Sequence, residues 1–122
     1  MGKFSFGKEE RLHGRKSIQE LFDKGSSFYL HPFKIIFRKN SDQNNSHSQI
    51  LVTVPIKNFG KAVDRNKIKR RIREGYRLNK QKLATQKWLI AYIYVAKEIL
   101  PSDVIHQKIS ESLVSLNDRN EK

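Results

Sequence analysis

A chain of 122 residues has room for one hydrophobic core, burying roughly two-thirds of the surface its unfolded form exposes, so no staple is required. It contains no cysteine, which excludes disulfides, thiolate metal sites and thiol nucleophiles and agrees with a reducing compartment. The 25 Lys and Arg against 12 Asp and Glu leave a formal charge of +13, which implies a polyanionic partner or high solubility alone.

The first ten residues carry Lys3, Lys8, Glu9 and Glu10 and no apolar signal segment, and no stretch approaches the ~18 apolar residues of a membrane span. A soluble, unprocessed, cytoplasmic protein is expected, with residues 1–10 flexible. Ser17-Ile18-Gln19-Glu20 has the spacing of a capping box and predicts a first helix from Ser17, with Ile18, Leu21 and Phe22 on one face and Gly25 as a left-handed stop. Phe28 to Lys39 is rich in aromatic and β-branched residues, with Phe33, Ile35 and Phe37 alternating against Lys34, Ile36 and Arg38, and reads as one strand. The polar run Asn40 to Ser48 predicts a loop, and Gln49 to Val54 a second strand that pairs with the first as a hairpin.

Ala62 to Asn79 predicts the next helix. At 100° per residue, Ile68, Ile72, Gly75, Tyr76 and Asn79 fall within an arc of about 100°, the expected buried face. Gly75, costing about 1 kcal/mol against Ala in a helix, should mark a close approach to the sheet. Trp88 to Ala96 is a nearly continuous apolar run, as in a central strand covered on both faces. Pro101-Ser102-Asp103 opens a last helix with the stripe Ile105, Ile109, Leu113 and Leu116, and residues 118–122 should fray. The order is α-β-β-α-β-α: one α+β domain over residues 1–122, helices packed on a small sheet.

Charge is concentrated rather than scattered. Between Lys57 and Lys82 stand eleven basic residues against Asp64 and Glu74. On the helix wheel, Asn66, Lys69, Arg70, Arg73, Arg77 and Lys80 occupy a flank of about 40° to 140°, beside the apolar arc rather than opposite it. Like charges at i,i+4 cost a few tenths of a kcal/mol per pair, which scattered charges would avoid. Arg presents a planar fork to phosphate oxygens, Lys a mobile point charge, and Asn both donates and accepts. Such a rail suits duplex DNA as well as RNA, and a merely solvated basic face is the bland alternative.

The stretch Ala62-Val63-Asp64-Arg65-Asn66-Lys67-Ile68-Lys69-Arg70-Arg71-Ile72-Arg73-Glu74 resembles the signature of bacterial ribonuclease P protein subunits, A-V-x-R-N-[KR]-x-K-R-x-x-R-[EQ], at every defined position. Lys8, Arg11, Leu12, Phe22, Gly25 and Phe33 extend the resemblance. It implies a ribonuclease P protein-like fold, similar to a ribosomal small-subunit domain, with a left-handed βαβ crossover. It further implies a ribonucleoprotein that removes the 5′ leader of precursor tRNA, with catalysis and Mg²⁺ belonging mainly to the RNA subunit and no catalytic group or metal in this chain. Arg65, Asn66, Lys67, Lys69, Arg70, Arg73 and Arg77 would then contact the RNA subunit. A leader-binding cleft would map to Ile18, Phe22, Phe33 and Ile36, approached by Lys57 and Lys61. Ile18 and Ile36 stand where many members have an aromatic, and Ile56 and Asn58 sit in a loop that is usually more basic. Core packing is the alternative role for Ile18, Phe22 and Phe33.

Three other classes compete. A protein-only nuclease needs clustered carboxylates or histidines, but His13, His31, His47 and His106 are scattered. A small basic ribosomal or RNA-chaperone protein could use the same rail on another RNA. A DNA-binding module wants base-reading side chains on a recognition helix, which a dense phosphate-type rail does not supply. Neither a membrane nor a protein partner is implied.

Overall fold

The computed structural model describes residues 10–40, 47–83 and 87–119. The first helix, α1 (Arg15–Lys24), buries Leu21 completely and Ile18 in part. It starts ahead of the expected Ser17, following Gly14, whose φ of 97° lies in the region that favours glycine. No side chain caps this end, so Ser17 and Glu20 lie inside the helix, and Glu20 instead meets Arg38 on the sheet at 3.1 Å. Gly25 is not a left-handed stop either, since its φ of −75° is ordinary extended backbone. Space is what requires glycine there: a Cβ would lie 2.5 Å from the Leu21 carbonyl oxygen and 2.9 Å from Ile36 Cγ2.

The expected first strand folds back on itself. β1 (Ser26–Leu30) and β2 (Phe33–Lys39) are antiparallel and joined at His31–Pro32, a cis peptide. Proline lacks the N–H that a ladder needs, so the run cannot continue through it as a paired strand. Then come β3 (Gln49–Thr53), α2 (Ala62–Asn79), a 3-10 turn (Lys80–Lys82), β4 (Trp88–Tyr94) and α3 (Ser102–Arg119). Among the described residues the expected α-β-β-α-β-α succession is therefore present with its first strand doubled, as a mixed four-stranded sheet and three α-helices.

Strand order is β1-β2-β4-β3, with β4 antiparallel to β2 and parallel to β3. The hairpin expected between the Phe33–Lys39 and Gln49–Thr53 strands does not form, because β4 lies between them. Its sequence explains why: WLIAYIY is buried at all but one position, and only a central place covers both faces of such a run. α2 is the crossover between the parallel strands β3 and β4.

Alternation along the strands gives the sheet two different faces. Phe33, Ile35, Phe37, Ile50, Val52, Trp88, Ile90, Tyr92 and Tyr94 face α2 and α3, whose Ile68, Ile72, Tyr76, Ile105, Ile109, Leu113 and Leu116 complete the main core. Each such fully buried aliphatic side chain contributes about 1.5–3 kcal/mol. Phe33 stands edge-on to Tyr92 at 5.4 Å and to Tyr94 at 6.0 Å between centroids. On the opposite face, Ile36, Leu89 and Ala91 pack with Leu12 and with Leu21 of α1 in a second, smaller cluster.

Gly75 marks a close approach to α3 rather than to the sheet. A Cβ there would meet His106 Cδ2 at 3.0 Å and Ile109 Cγ1 at 3.3 Å. Asp118 and Arg119 are helical rather than frayed, and the Arg119 guanidinium lies 4.6 Å from the Phe28 ring centroid and 5.2 Å from that of Phe37. Glu10 was expected in a flexible segment but is buried, and the Leu12 amide donates to the Ile50 carbonyl at 2.8 Å, tying this segment to the edge of β3. Residues 1–9, 41–46 and 120–122, to which the other expectations of flexibility and looping applied, lie outside the described residues. Among the described residues no helix is long and apolar enough to cross a membrane.

Candidate nucleic-acid interface

α2 is held by its apolar arc and shows its cations along one side. Ile68, Ile72, Gly75 and Tyr76 are buried, as the wheel predicts, while Asn66, Lys67 and Arg70 are exposed and Lys69 and Arg73 half-buried. The Asn79 amide turns back to donate to the Gly75 carbonyl at 2.8 Å. Asp64 in the first turn and Arg77 in the last suit the helix dipole.

The basic residues of this helix divide by what they touch. Arg65 donates from Nη1 to the carbonyls of Phe59 and Gly60, at 2.8 and 3.0 Å, and so clamps the loop that precedes α2. Arg71 donates to the Leu100 carbonyl at 2.7 Å and ties α2 to the segment before α3. Arg77 pairs with Glu74 one turn earlier. Lys80, placed by the wheel on the cationic flank, points instead to Glu10, its ammonium 2.6 Å from the carboxylate in a largely buried pair. The rail thus centres on exposed Asn66, Lys67 and Arg70 and half-buried Lys69 and Arg73.

A further cation joins it from outside the helix. Arg11, fixed by the bridge of its segment to Ile50, lines two adjoining hollows with Arg73. One, of about 430 Å³, is completed by Leu12, His13 and the edge of β3 around Leu51. The other, of about 330 Å³, is completed by Arg70, Glu74 and Arg77. Burial, and after it the positive charge of Arg11, press the pKa of Arg73 below its ordinary value. A half-buried guanidinium beside the hollows that exposed, like-charged Arg11 also lines is an arrangement that an anion relieves. Periodicity along α2 could not reveal Arg11; only its place in the family pattern pointed to it.

The cleft residues do not all come together. Ile18 and Ile36 belong to the smaller cluster beneath α1, and Phe22, one turn after Ile18, is 41% exposed at the margin of that helix. Lys57 and Lys61 are exposed in the loop between β3 and α2. Phe33 is not with them: it has 0% exposure on the other face of the sheet, because it lies an odd number of residues from Ile36 on the same strand. Its ring is core and offers no surface to a base. Sequence reasoning also passed over Tyr29 and Lys34, which share the sheet face of Ile36. Among the described residues, no group of three or more His, Cys, Asp or Glu converges in a way that could hold a metal ion.

A family model described as Ribonuclease P matches residues 6–117. A ribonuclease P protein component of Porphyromonas gingivalis (strain ATCC 33277) is 33% identical over 123 residues, covering 93% of this chain and 87% of that protein. One from Dictyoglomus thermophilum is 32% identical over 117 residues, covering 95% and 92%. The solved ribonuclease P protein of Thermotoga maritima superposes with a TM-score of 0.72 at 31% identity, over 85% of this chain and 94% of that one. A Staphylococcus aureus ribonuclease P protein mutant, described as having defective mRNA degradation activity, superposes with a TM-score of 0.71 at 25% identity, over 91% and 90%. With its cationic helix on a mixed sheet of this architecture, the chain belongs to the ribonuclease P protein family, protein components of an endoribonuclease that works as a ribonucleoprotein.

Proposed function

We propose that this chain binds the RNA subunit of ribonuclease P through the flank of α2 and Arg11, and receives the 5′ leader of precursor tRNA on the sheet face beneath α1, in the cytoplasm. The observation that carries the reading is the meeting of Arg11 and Arg73 at the two hollows beside the rail, where burial and like charge favour a bound anion. Asn66, Lys67, Lys69 and Arg70 continue that site along the helix, with Arg65 and Arg77 supporting it from either end. Phosphate contacts of this kind position an RNA without reading its sequence.

The leader would lie over exposed Phe22 and half-buried Ile18, with Ile36 buried beneath them as their support, and be approached by Lys57 and Lys61. Stacking on a ring tolerates any base and is worth roughly 1–3 kcal/mol per base, which suits leaders of varied sequence. Hydrolysis and its Mg²⁺ are assigned to the RNA subunit on the strength of the family resemblance; among the described residues no group of three or more His, Cys, Asp or Glu converges to hold a metal. The test is reconstitution: purified chain is added to a bacterial ribonuclease P RNA at low Mg²⁺ and leader removal from a precursor tRNA is followed. Stimulation of cleavage is expected. Absence of stimulation, with both components folded, would overturn the assignment.

A further inference from the structure

α1 covers only part of its sheet face. By strand register, Ser27, Ile36, Ala91 and Leu51 form one row across the sheet, and Ile36, Ala91 and Leu51 pack with Leu21 and Ile18. The next row is Tyr29, Lys34, Ile93 and Thr53, on β1, β2, β4 and β3 in turn. This second row is open: Tyr29 is 71% exposed, and Lys34, Ile93 and Thr53 are only half-buried. The Lys34 ammonium stands 5.9 Å from the centroid of the Tyr29 ring, within reach of a cation–π attraction.

An aromatic ring left in water beside an ammonium group presents the two chemistries of a nucleotide's partner, a π-face for a base and a charge for its phosphate. The row itself holds no acidic side chain. At its β3 end the chain continues into the loop that carries exposed Ile56, Lys57 and Lys61, so a cationic loop follows one end of the strip while Lys34 stands next to the ring at the other. We infer that this row is a seat for single-stranded RNA, with Tyr29 stacking a base and Lys34 meeting the adjacent phosphate. The inference rests on the proposed role of this face in receiving the leader, and extends that surface to the edge strand β1. From β3 to β1 is three strand spacings, roughly 14 Å, so only a leader long enough to cross the sheet reaches Tyr29.

The experiment uses the chain assembled with a bacterial ribonuclease P RNA and precursor tRNAs that differ only in leader length, one too short to cross the sheet and one of about ten nucleotides. Loss of one stacked base predicts that Tyr29→Ala weakens binding of the long-leader substrate about tenfold, leaves the short-leader substrate and mature tRNA unaffected, and is rescued by Tyr29→Phe. Lys34→Gln should lower the salt slope for the long-leader substrate by roughly 0.7. Thermal melting of each variant confirms that it folds, as expected for so exposed a ring. Equal losses on all three RNAs, or none, would overturn the inference. So would a parent chain that self-associates and loses that association with Tyr29→Ala, which would make the row a protein contact. Failure of the parent chain to stimulate cleavage refutes the subunit role instead, and direct binding of a single-stranded oligonucleotide to parent and Tyr29→Ala chains then decides the row by itself.

Discussion

The carboxylate of Glu10 accepts a 2.6 Å hydrogen bond from the Lys80 ammonium, and both side chains are largely withdrawn from water. The pair joins the segment before α1 to the end of α2, residues 70 positions apart. Arg11 follows Glu10 directly, so the contact that anchors the segment also sets Arg11 beside Arg73. His47 approaches the same carboxylate at 3.8 Å.

Replacing Glu10 by Gln removes the carboxylate that faces the largely buried Lys80 ammonium. Breaking a buried pair from one side costs about 3–5 kcal/mol, and the partial exposure of Lys80 allows relaxation, so a loss of about 2–3 kcal/mol is expected in urea unfolding. Glu10→Gln combined with Lys80→Met should recover most of it, since the ammonium is then removed as well. A double variant as unstable as the sum of the single ones would mean that the pair does not couple.

Arg70 and Arg71 are neighbours in sequence with opposite assignments. Arg70 is exposed on the rail, and Arg71 is spent on the Leu100 carbonyl. Arg70→Ala should leave the melting temperature nearly unchanged and lower the salt slope of RNA-subunit binding by roughly 0.7 to 0.9 for a lost phosphate contact. Arg71→Ala should cost about 1–2 kcal/mol of stability through the lost charge-assisted bond and leave the slope alone. Filter binding across a salt series, with melting curves on the same samples, separates the two.

What the sequence disclosed follows from which forces are local. The limits of α2, the burial of β4 and the stripe of α3 are set by side-chain periodicity, and periodicity is written in adjacent residues. Pro32 also offered a local signal, a missing amide inside a strand pattern, that the alternation of Phe33, Ile35 and Phe37 outweighed. Strand order is different, because the insertion of β4 between β2 and β3 depends on covering an apolar strand with partners distant in sequence. The same holds for the site. The cationic flank was legible on the wheel, but the diversion of Lys80 to Glu10 and the approach of Arg11 to Arg73 are tertiary contacts. Ser17 and Glu20 show the reverse error: the capping-box spacing is real, yet Gly14 starts the helix and Arg38 takes the carboxylate.

Tyr92 gives the fold a defined response to alkali. Ser112 spends its hydroxyl hydrogen on the Ile109 carbonyl at 2.6 Å, so the Tyr92 hydroxyl is the donor in their 2.7 Å bond. Burial raises the Tyr92 pKa well above the ordinary value; Tyr76 is raised as well, by burial and then by Glu10. The folded state therefore keeps protons that the unfolded chain releases near pH 10, so the tyrosines' contribution is complete below about pH 10 and is lost as pH rises beyond it, by about 1.4 kcal/mol per unit and per tyrosine. Tyr92→Phe should be about 1 kcal/mol less stable at pH 8 and should lose stability less steeply above pH 10. Lysines titrate in the same range, so the quantity to measure is the difference between variant and parent in urea unfolding from pH 8 to 11. A constant difference would place the Tyr92 hydroxyl in contact with water.

Phe22 and Phe33 provide the sharpest contrast within the proposed leader surface, because one family-derived expectation assigned both rings the same task. Phe33 is fully buried against Tyr92 and Tyr94, and Phe33→Ala should cost about 3–5 kcal/mol through lost burial and the cavity left behind. Phe22 is 41% exposed and outside both core clusters, so Phe22→Ala should cost under about 1 kcal/mol. If Phe22 stacks on the leader, the same substitution should weaken precursor tRNA binding by roughly 1–3 kcal/mol and spare mature tRNA. Phe33→Ala, assayed at a temperature where it remains folded, should show no such preference between the two RNAs. Equal effects of Phe22→Ala on both would move the leader off α1, and a large fall in its stability would make Phe22 a packing residue after all.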